Sequence, residues 1–328
     1  MIMTRTPLRI SIGGGGTDLP SYYRQFGGFV ISAAITRYVY ITVNKSFLPG
    51  YLLRYSETEH ALTPGGITHP LLRHAIEMHA VPEPLEIVSI ADVPAGTGLG
   101  SSGAFLVGLM HALHAYKREP VTAEMLAREA VEVEMERMEE PVGKQDHYIA
   151  AYGGLLCQHY HRDDTVTVQP LRITETQISE LHDSLMLFFV GRTRKASLLL
   201  GDQKQRTQAA DPAMIEGLHY TRELGTEIRN ALESGRTADF GPLMHQHWER
   251  KRCRSRGMSS DRIDELYEMG RTRGGATGGK LVGAGGSGFL LFQAPDRKRL
   301  RDCMTEAGLA EMIFDFDFDG SVVHTRSA

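Results

Sequence analysis

The segment Val93–Leu113, VPAGTGLGSSGAFLVGLMHAL, sets three glycines and two serines ahead of an apolar stretch with helical spacing. Gly96, Gly98 and Gly100 permit positive φ angles and a close backbone approach. Ser101 and Ser102 stand where that helix would start, a position serine favours. N–H groups exposed at a helix N-terminus attract anions through hydrogen bonds and the helix dipole. A turn with a cap would account for one or two of these residues, not for all five. The loop 94–103 is therefore read as a phosphate-binding loop. It lacks the lysine of a P-loop, so a triphosphate held here needs another cation. A serine hydroxyl and a carboxylate can supply one by holding Mg²⁺. Candidate carboxylates lie on a helix expected over 123–138, which carries Glu124, Glu129, Glu132, Glu134 and Glu136. Most of these would form a solvated face. Glu134 and Glu136 point about 200° apart around a helix, so one of the two can face the loop, and the spacing does not choose between them.

Two other glycine-rich segments fail their motifs. GGATGGKL (Gly274 to Leu281) nearly fits the P-loop pattern, but Leu281 occupies the Ser/Thr position. GAGGSG (Gly283 to Gly288) fits GxGxxG, yet the apolar strand FLLF follows it instead of a helix, and too little chain remains for a dinucleotide-binding fold. The histidines give no metal signature. His111 and His114 sit in an apolar helix, His245 and His247 diverge around theirs, and both pairs are read as structural. The alternating DFDFD, Asp315 to Asp319, is read as a strand with one polar face.

These residues need elements to hold them. PLRISI, GFVISAAI, YVYITVN and YLLRYS read as strands, followed by a helix over 70–79, a strand at LEIVSIA and the phosphate loop. Helices are expected over 101–116, 123–138 and 144–152, then strands at GGLLCQHYH, TVTVQPL and LMLFFVG. A helical region over 195–273 breaks near Gly235 and Gly257. Strand-forming segments separated from helical ones argue an α+β fold, with a boundary near residue 183 dividing the chain into 1–183 and 184–328. Of the 328 residues, 41% are hydrophobic and 23% charged, with a net charge of −4. That balance suits a soluble globular protein and argues against nucleic-acid binding. No apolar run reaches membrane-spanning length. Cys157, Cys253 and Cys303 lie far apart and are read as reduced thiols of a cytoplasmic protein.

Three segments, PLRISIGGGGTDLP, PAGTGLGSSGAF and KLVGAGGSGFLLF, occur in this order and together resemble the GHMP small-molecule kinases. The resemblance covers nearly the whole chain. It implies an N-terminal domain like the second domain of ribosomal protein S5, a ferredoxin-like C-terminal domain, and ATP bound with its substrate between them. It makes Pro94, Gly96, Gly98, Leu99, Gly100, Ser101 and Ser102 the ATP-binding loop, with Ser102 a Mg²⁺ ligand. The family's metal glutamate lies in a Glu-Arg or Glu-His pair ahead of the catalytic aspartate. MERMEEPVGKQDHY matches that pattern at Glu136, so the resemblance selects Glu136 over Glu134. Asp146 matches the catalytic aspartate and is expected to be the general base, with Arg9 beside it stabilising the transferred phosphoryl group.

Within the family, Arg9 followed by Thr17 and Asp18 is similar to the sugar 1-kinases. Gly14, Gly15 and Gly16 replace the Gly-Glu-His of galactokinases. The segments GGGGTDLPSYY, LFFVGRTRKAS and HWERKR look most like the D-glycero-D-manno-heptose 7-phosphate 1-kinases. The resemblance implies substrate contacts from Gly15, Gly16, Thr17, Asp18, Arg194, Lys251 and Gly285. The expected ligands are ATP, Mg²⁺ and a small-molecule sugar phosphate, with a homodimer the candidate assembly. An L-fucose- or galactose-type sugar 1-kinase is the alternative enzyme, and a non-catalytic sugar sensor on the same scaffold is the alternative class.

Overall fold

The computed structural model describes residues 1–191 and 196–326. Its first half is built on an eight-stranded sheet. β1 (Ile2–Gly13) pairs antiparallel with β2 (Gly28–Lys45), which runs unbroken through two segments that the sequence presents as separate strands. The polar pair Thr36–Arg37 marks the join. The register slips there, because Pro7 faces Tyr38 whereas Leu8 faces Ile35. The extra residues bulge from the ladder and bend the strand, and Arg9 lies just beyond the bend.

β3 (Tyr51–Arg54), β4 (Thr58–Ala61) and β5 (Leu85–Ala91) extend the sheet beyond β2, while β6 (Leu155–Tyr160) and β7 (Val166–Pro170) branch from the far end of β2. Helices α1 (Pro20–Phe26) and α2 (Pro70–His79) connect the early strands. α3 (Ser101–Lys117) packs on β1 and β2 and is buried on nearly all sides, as its almost wholly apolar sequence requires. α4 (Ala123–Val131) and α5 (Gln145–Tyr152) lie against α3. The helix expected over 123–138 changes character at Glu132, where a π-helical turn runs from Glu132 to Arg137. Such turns are rare and concentrate at functional sites.

After α6 (Glu175–Ser184) the chain builds a second sheet from β8 (Leu185–Gly191), β9 (Gly278–Leu281), β10 (Gly288–Gln293) and β11 (Ala310–Met312). Its order is β11-β8-β10-β9, antiparallel throughout. Between β8 and β9 run α7 (Ala196–Gln208), α8 (Pro212–Glu233), α9 (Phe240–Arg252) and α10 (Asp261–Thr272), and α11 (Arg297–Glu306) joins β10 to β11. This strand–helix–strand–strand–helix–strand plan is ferredoxin-like. An additional break separates α7 from α8, where the Asp211 carboxylate accepts the backbone N–H groups of Ala213 and Met214.

The expected second unit, 184–328, is not one continuous piece. β12 (Val322–Arg326) returns to the first sheet and pairs with β1. The DFDFD segment is not the strand its alternation predicts. It makes one isolated bridge, Ile35 to Phe316. Phe314 and Phe316 enter the core, while buried Asp317 accepts the backbone N–H groups of Asp319 and Gly320 and the Tyr38 hydroxyl. A carboxylate that binds its own backbone competes with strand pairing. Among the described residues, no helix is long and apolar enough to cross a membrane.

Candidate active site

A cleft of about 560 Å³ is lined by residues of both sheets' layers, including Arg9, Asp18, Gly96, Gly98, Gly100, Ser101, Ser102, Glu134, Asp146, Lys251, Arg254 and Lys280. β1 presents Arg9, the start of α5 presents Asp146, and the two join in a two-pronged ion pair. Arg9 Nε donates to Asp146 Oδ1 at 2.7 Å and Nη2 donates to Oδ2 at 2.8 Å. Arg9 Nη1 reaches the Gly98 carbonyl at 2.6 Å, and the Arg9 backbone N–H reaches the Leu99 carbonyl at 3.0 Å. One arginine thus ties the phosphate loop to the aspartate. Such a fork fixes a carboxylate's orientation as well as its position.

Gly100 keeps this arrangement open. Its φ is +75°, and a Cβ there would lie 3.1 Å from Asp146 Cγ and 3.2 Å from Arg9 Cγ. Asp18 sits deeper, fully buried, where its carboxylate accepts the N–H of Gly16 at 3.1 Å and of Gln145 at 3.2 Å. Gly143 makes room for it, since a Cβ there would overlap Asp18 Oδ2. Burial, and next the charge of Asp146, push the Asp18 carboxyl above its ordinary range, against these backbone hydrogen bonds.

The structure sets the two candidate glutamates apart. Glu136 is exposed outside the cleft, whereas Glu134 is buried and lines it beside Ser102. Glu134 Oε2 lies 2.6 Å from His147 Nε2. Burial pushes the Glu134 carboxyl up, but the hydrogen bond and charge of His147, with the Ser102 hydroxyl, outweigh it and hold the group below its ordinary value. Both Ser102 and Glu134 offer hard oxygen donors at one end of the phosphate loop, the chemistry that suits Mg²⁺. The π turn sets the side chains: Met138 N–H bonds to the Val133 carbonyl, and Glu134 faces inward on the widened turn.

Other expected residues divide. Gly15, Gly16 and Lys251 line the cleft. Thr17 does not, because its hydroxyl is committed to the Gly14 and Phe29 carbonyls, both at 2.8 Å, and holds the turn. Leu99 points into the core and serves the site through its carbonyl. Pro94 is exposed at the loop's start and outside the cleft lining. Gly285 lies against Met258, where a Cβ would approach Met258 O at 2.9 Å, and it buttresses the lining without joining it. Arg194 lies outside the described residues.

The same cleft holds a set of buried and half-buried bases, of which the sequence pointed only to Lys251. Lys251 on α9 donates to the carbonyls of Leu281, at 3.0 Å, and Gly283. Lys280 on β9 is buried. Arg254 donates to Thr221 Oγ1 at 2.6 Å. Among the described residues, no carboxylate forms an ion pair with any of the three. Burial, then Arg9 and Arg254, lower the Lys280 pKa to about 7, and burial lowers Arg254 to about 10. Burial and neighbouring Lys280 drive Lys251 well down. His247, expected to be structural, also lines the cleft, and both of its ring nitrogens are buried without a partner. Desolvated cations without counter-ions are costly unless an anion completes the site. The signal was present in HWERKRCRSR and GGKL, but a basic helix face and a failed P-loop explained those segments equally well. Tyr55, Leu71, Val93 and Phe105 add apolar side chains to the same lining.

Comparison with known proteins is consistent with this geometry. Residues 68–154 match the model of the GHMP kinases N terminal domain, and residues 228–310 match that of the GHMP kinases C terminal domain. The chain is 29% identical over 313 residues to the D-glycero-alpha-D-manno-heptose 7-phosphate kinase of Campylobacter jejuni, covering 91% of each. It is 26% identical to the bifunctional fucokinase/GDP-fucose pyrophosphorylase of Arabidopsis thaliana, across 90% of this chain and 30% of that protein. The crystal structure of a D-glycero-D-manno-heptose 1-phosphate kinase from Bacteroides thetaiotaomicron superposes with a TM-score of 0.81 at 23% identity, covering 100% of both chains.

Proposed function

The chain belongs to the GHMP kinases, a family of phosphotransferases, and from that premise we propose that it transfers the γ-phosphoryl group of ATP to the anomeric hydroxyl of D-glycero-D-manno-heptose 7-phosphate, giving the 1,7-bisphosphate. The observation that carries this reading is that one cleft is lined both by the Arg9–Asp146 pair and by the bases Lys251 and Lys280, which are buried, and Arg254, which is half-buried. A sugar with a phosphate at its far end would complete both walls.

In this reading Asp146 accepts the proton of the C1 hydroxyl as its oxygen attacks the γ-phosphorus, and the bond to the β-phosphate oxygen breaks to release ADP. Arg9 holds the Asp146 carboxylate in line and places positive charge beside the transferring group. Asp18, with the backbone of Gly15 and Gly16, orients the sugar hydroxyls. The N–H groups of Gly98 to Ser102 cradle the phosphates, and the apolar lining at Tyr55 and Phe105 takes the base. Ser102 and Glu134 are the residues that would hold Mg²⁺, which supplies charge neutralisation on the triphosphate. Lys251, Arg254 and Lys280 bind the substrate's existing phosphate.

Similarity to a fucokinase keeps unphosphorylated sugars as a second reading. ADP release measured over free and phosphorylated hexoses and heptoses, with ³¹P spectra of the product, tests both. The 7-phosphate should be turned over, with the new resonance on C1. Turnover of free L-fucose or galactose alone would favour the second reading, and a new phosphate on another carbon would end the 1-kinase assignment.

A further inference from the structure

Away from the cleft, the ends of three helices bring together His79, His114 and Glu129, with one ligand atom from each lying within 4.8 Å of the others. His79 ends α2, His114 lies in the last turn of α3, and Glu129 is on α4. The two imidazole rings are perpendicular, at 89°, with centroids 4.7 Å apart. Both aim Nε2 at the same carboxylate oxygen. Glu129 Oε2 is 2.8 Å from His114 Nε2 and 3.5 Å from His79 Nε2. The Met110 thioether lies 3.0 Å from His79 Nε2.

We propose that His79, His114 and Glu129 form a binding site for a Zn²⁺-type divalent metal ion that clamps the distal ends of α2, α3 and α4. Two imidazoles and one carboxylate on converging vectors are a common zinc donor set. The nitrogen donors and the adjacent thioether favour a borderline-soft ion over Mg²⁺ or Ca²⁺.

The surroundings supply what a metal-bound histidine needs. His114 Nδ1 is buried without a hydrogen bond, and a second carboxylate oxygen, Glu119 Oε2, lies 3.3 Å away. Carboxylates thus flank both ring nitrogens of His114, and a neutral ring has one N–H to offer them. A metal on Nε2 removes the conflict, leaving Nδ1–H for Glu119 in the carboxylate–histidine–metal arrangement. Lys117 positions this outer carboxylate through a 3.0 Å contact with Glu119 Oε1, and it also donates to the His79 carbonyl at 3.3 Å. The rings are nearly closed off from solvent, but the Glu129 side chain is 21% exposed, which gives an ion a way in. His79 and His114 are 35 positions apart and Glu129 is 15 further on, so no short metal motif marks the site in the sequence.

The test uses the full chain carrying Cys253→Ser, which removes an exposed thiol from the background. After chelation and dialysis, Zn²⁺ uptake is measured by calorimetry, and Co²⁺ is added as a visible-absorption probe. The proposal expects one Zn²⁺ per chain at this site and a Co²⁺ spectrum of low coordination number. It expects a rise in melting temperature of roughly 3–5 °C with Zn²⁺ at about a hundred times its Kd. Glu129→Gln and His114→Gln, each checked for folding by circular dichroism, should lose the uptake and the thermal shift, while Glu134→Gln should keep both. Failure of the folded parent to take up Zn²⁺ stoichiometrically would overturn the site. So would uptake that survives Glu129→Gln, or that disappears in Glu134→Gln instead.

Discussion

The two walls of the cleft are opposites in charge and in the way the fold supports that charge. On the first-sheet side, Asp146 is gripped by Arg9, Glu134 by His147, and Asp18 by backbone N–H groups. Each acid is satisfied within the protein. Elsewhere in the lining, buried Lys251 and Lys280 and half-buried Arg254 have carbonyls and a hydroxyl for company and, among the described residues, no paired carboxylate. The acids have partners within the fold, whereas the bases are left for an anion to complete. Positioned acids serve chemistry, whereas uncompensated bases serve capture.

The largest expected effect comes from the first wall. Asp146→Asn should lower kcat by roughly two to four orders of magnitude, the range for losing a general base, while ATP binding by calorimetry and the far-ultraviolet spectrum stay as in the parent. Near-parental turnover would remove Asp146 from proton transfer. On the second wall, Lys280→Met should raise KM for the phosphorylated sugar by roughly ten- to a hundred-fold, the equivalent of one charge-assisted hydrogen bond, with kcat little changed. If kcat falls and KM does not, Lys280 belongs to the chemistry and the division between the walls fails.

The contrast sharpens further in Mg²⁺ titrations of activity. Glu134→Gln should raise the Mg²⁺ needed for half-maximal rate by about tenfold, since about 1.4 kcal/mol of ligand binding corresponds to that factor. Glu136→Gln, exposed on the outer side of the turn, should leave the titration unchanged and shift stability by no more than about 0.5 kcal/mol. A large shift in Glu136→Gln alone would return the metal ligand to the position expected from the sequence.

The smallest effect is one of pH. Burial, Arg9 and Arg254 disfavour the charged form of Lys280 and bring its pKa to about 7. The ammonium is therefore present below that value and is progressively lost above it. The substrate's phosphate, whose second pKa is near 6, is already dianionic across the same range. KM for the phosphorylated sugar should rise severalfold between pH 6.5 and about 8.5, and Lys280→Met should flatten that rise. An unchanged slope in the variant would assign the dependence to another group.

The sequence was most informative where local rules act alone. The helix over 70–79, the start of α3 at Ser101 and the apolar β8 are all legible from period, capping and turn residues. The nearness of Arg9 to Asp146 could be anticipated by motif, although 137 positions separate the two residues. What stayed hidden depends on rotation and long-range pairing. A regular helix would place Glu134 and Glu136 on opposite sides, but spacing cannot reveal which side faces inward, and the π turn that orients them leaves no mark in a pattern of charges. Thr17 fits a sugar ligand as well as a turn clamp until its hydroxyl is seen bonded to two carbonyls. Of the second wall only Lys251 was anticipated, because burial, not residue type, distinguishes Lys280 from a surface lysine.

The return of β12 to β1 also bears on how the molecule is made. Met3 pairs with Thr42 on one side, and with Thr325 on the other. A contact spanning more than 300 positions cannot form while a chain is still leaving the ribosome. Until then the strand that carries Arg9 offers a bare, hydrogen-bonding edge to any extended segment nearby. Contacts this distant slow the search for the native state, and nascent chains that present unpaired edges are prone to association. The window between emergence of β1 and arrival of β12 is therefore when this protein most needs a chaperone, and a chain shortened by the last strand would remain in that window permanently.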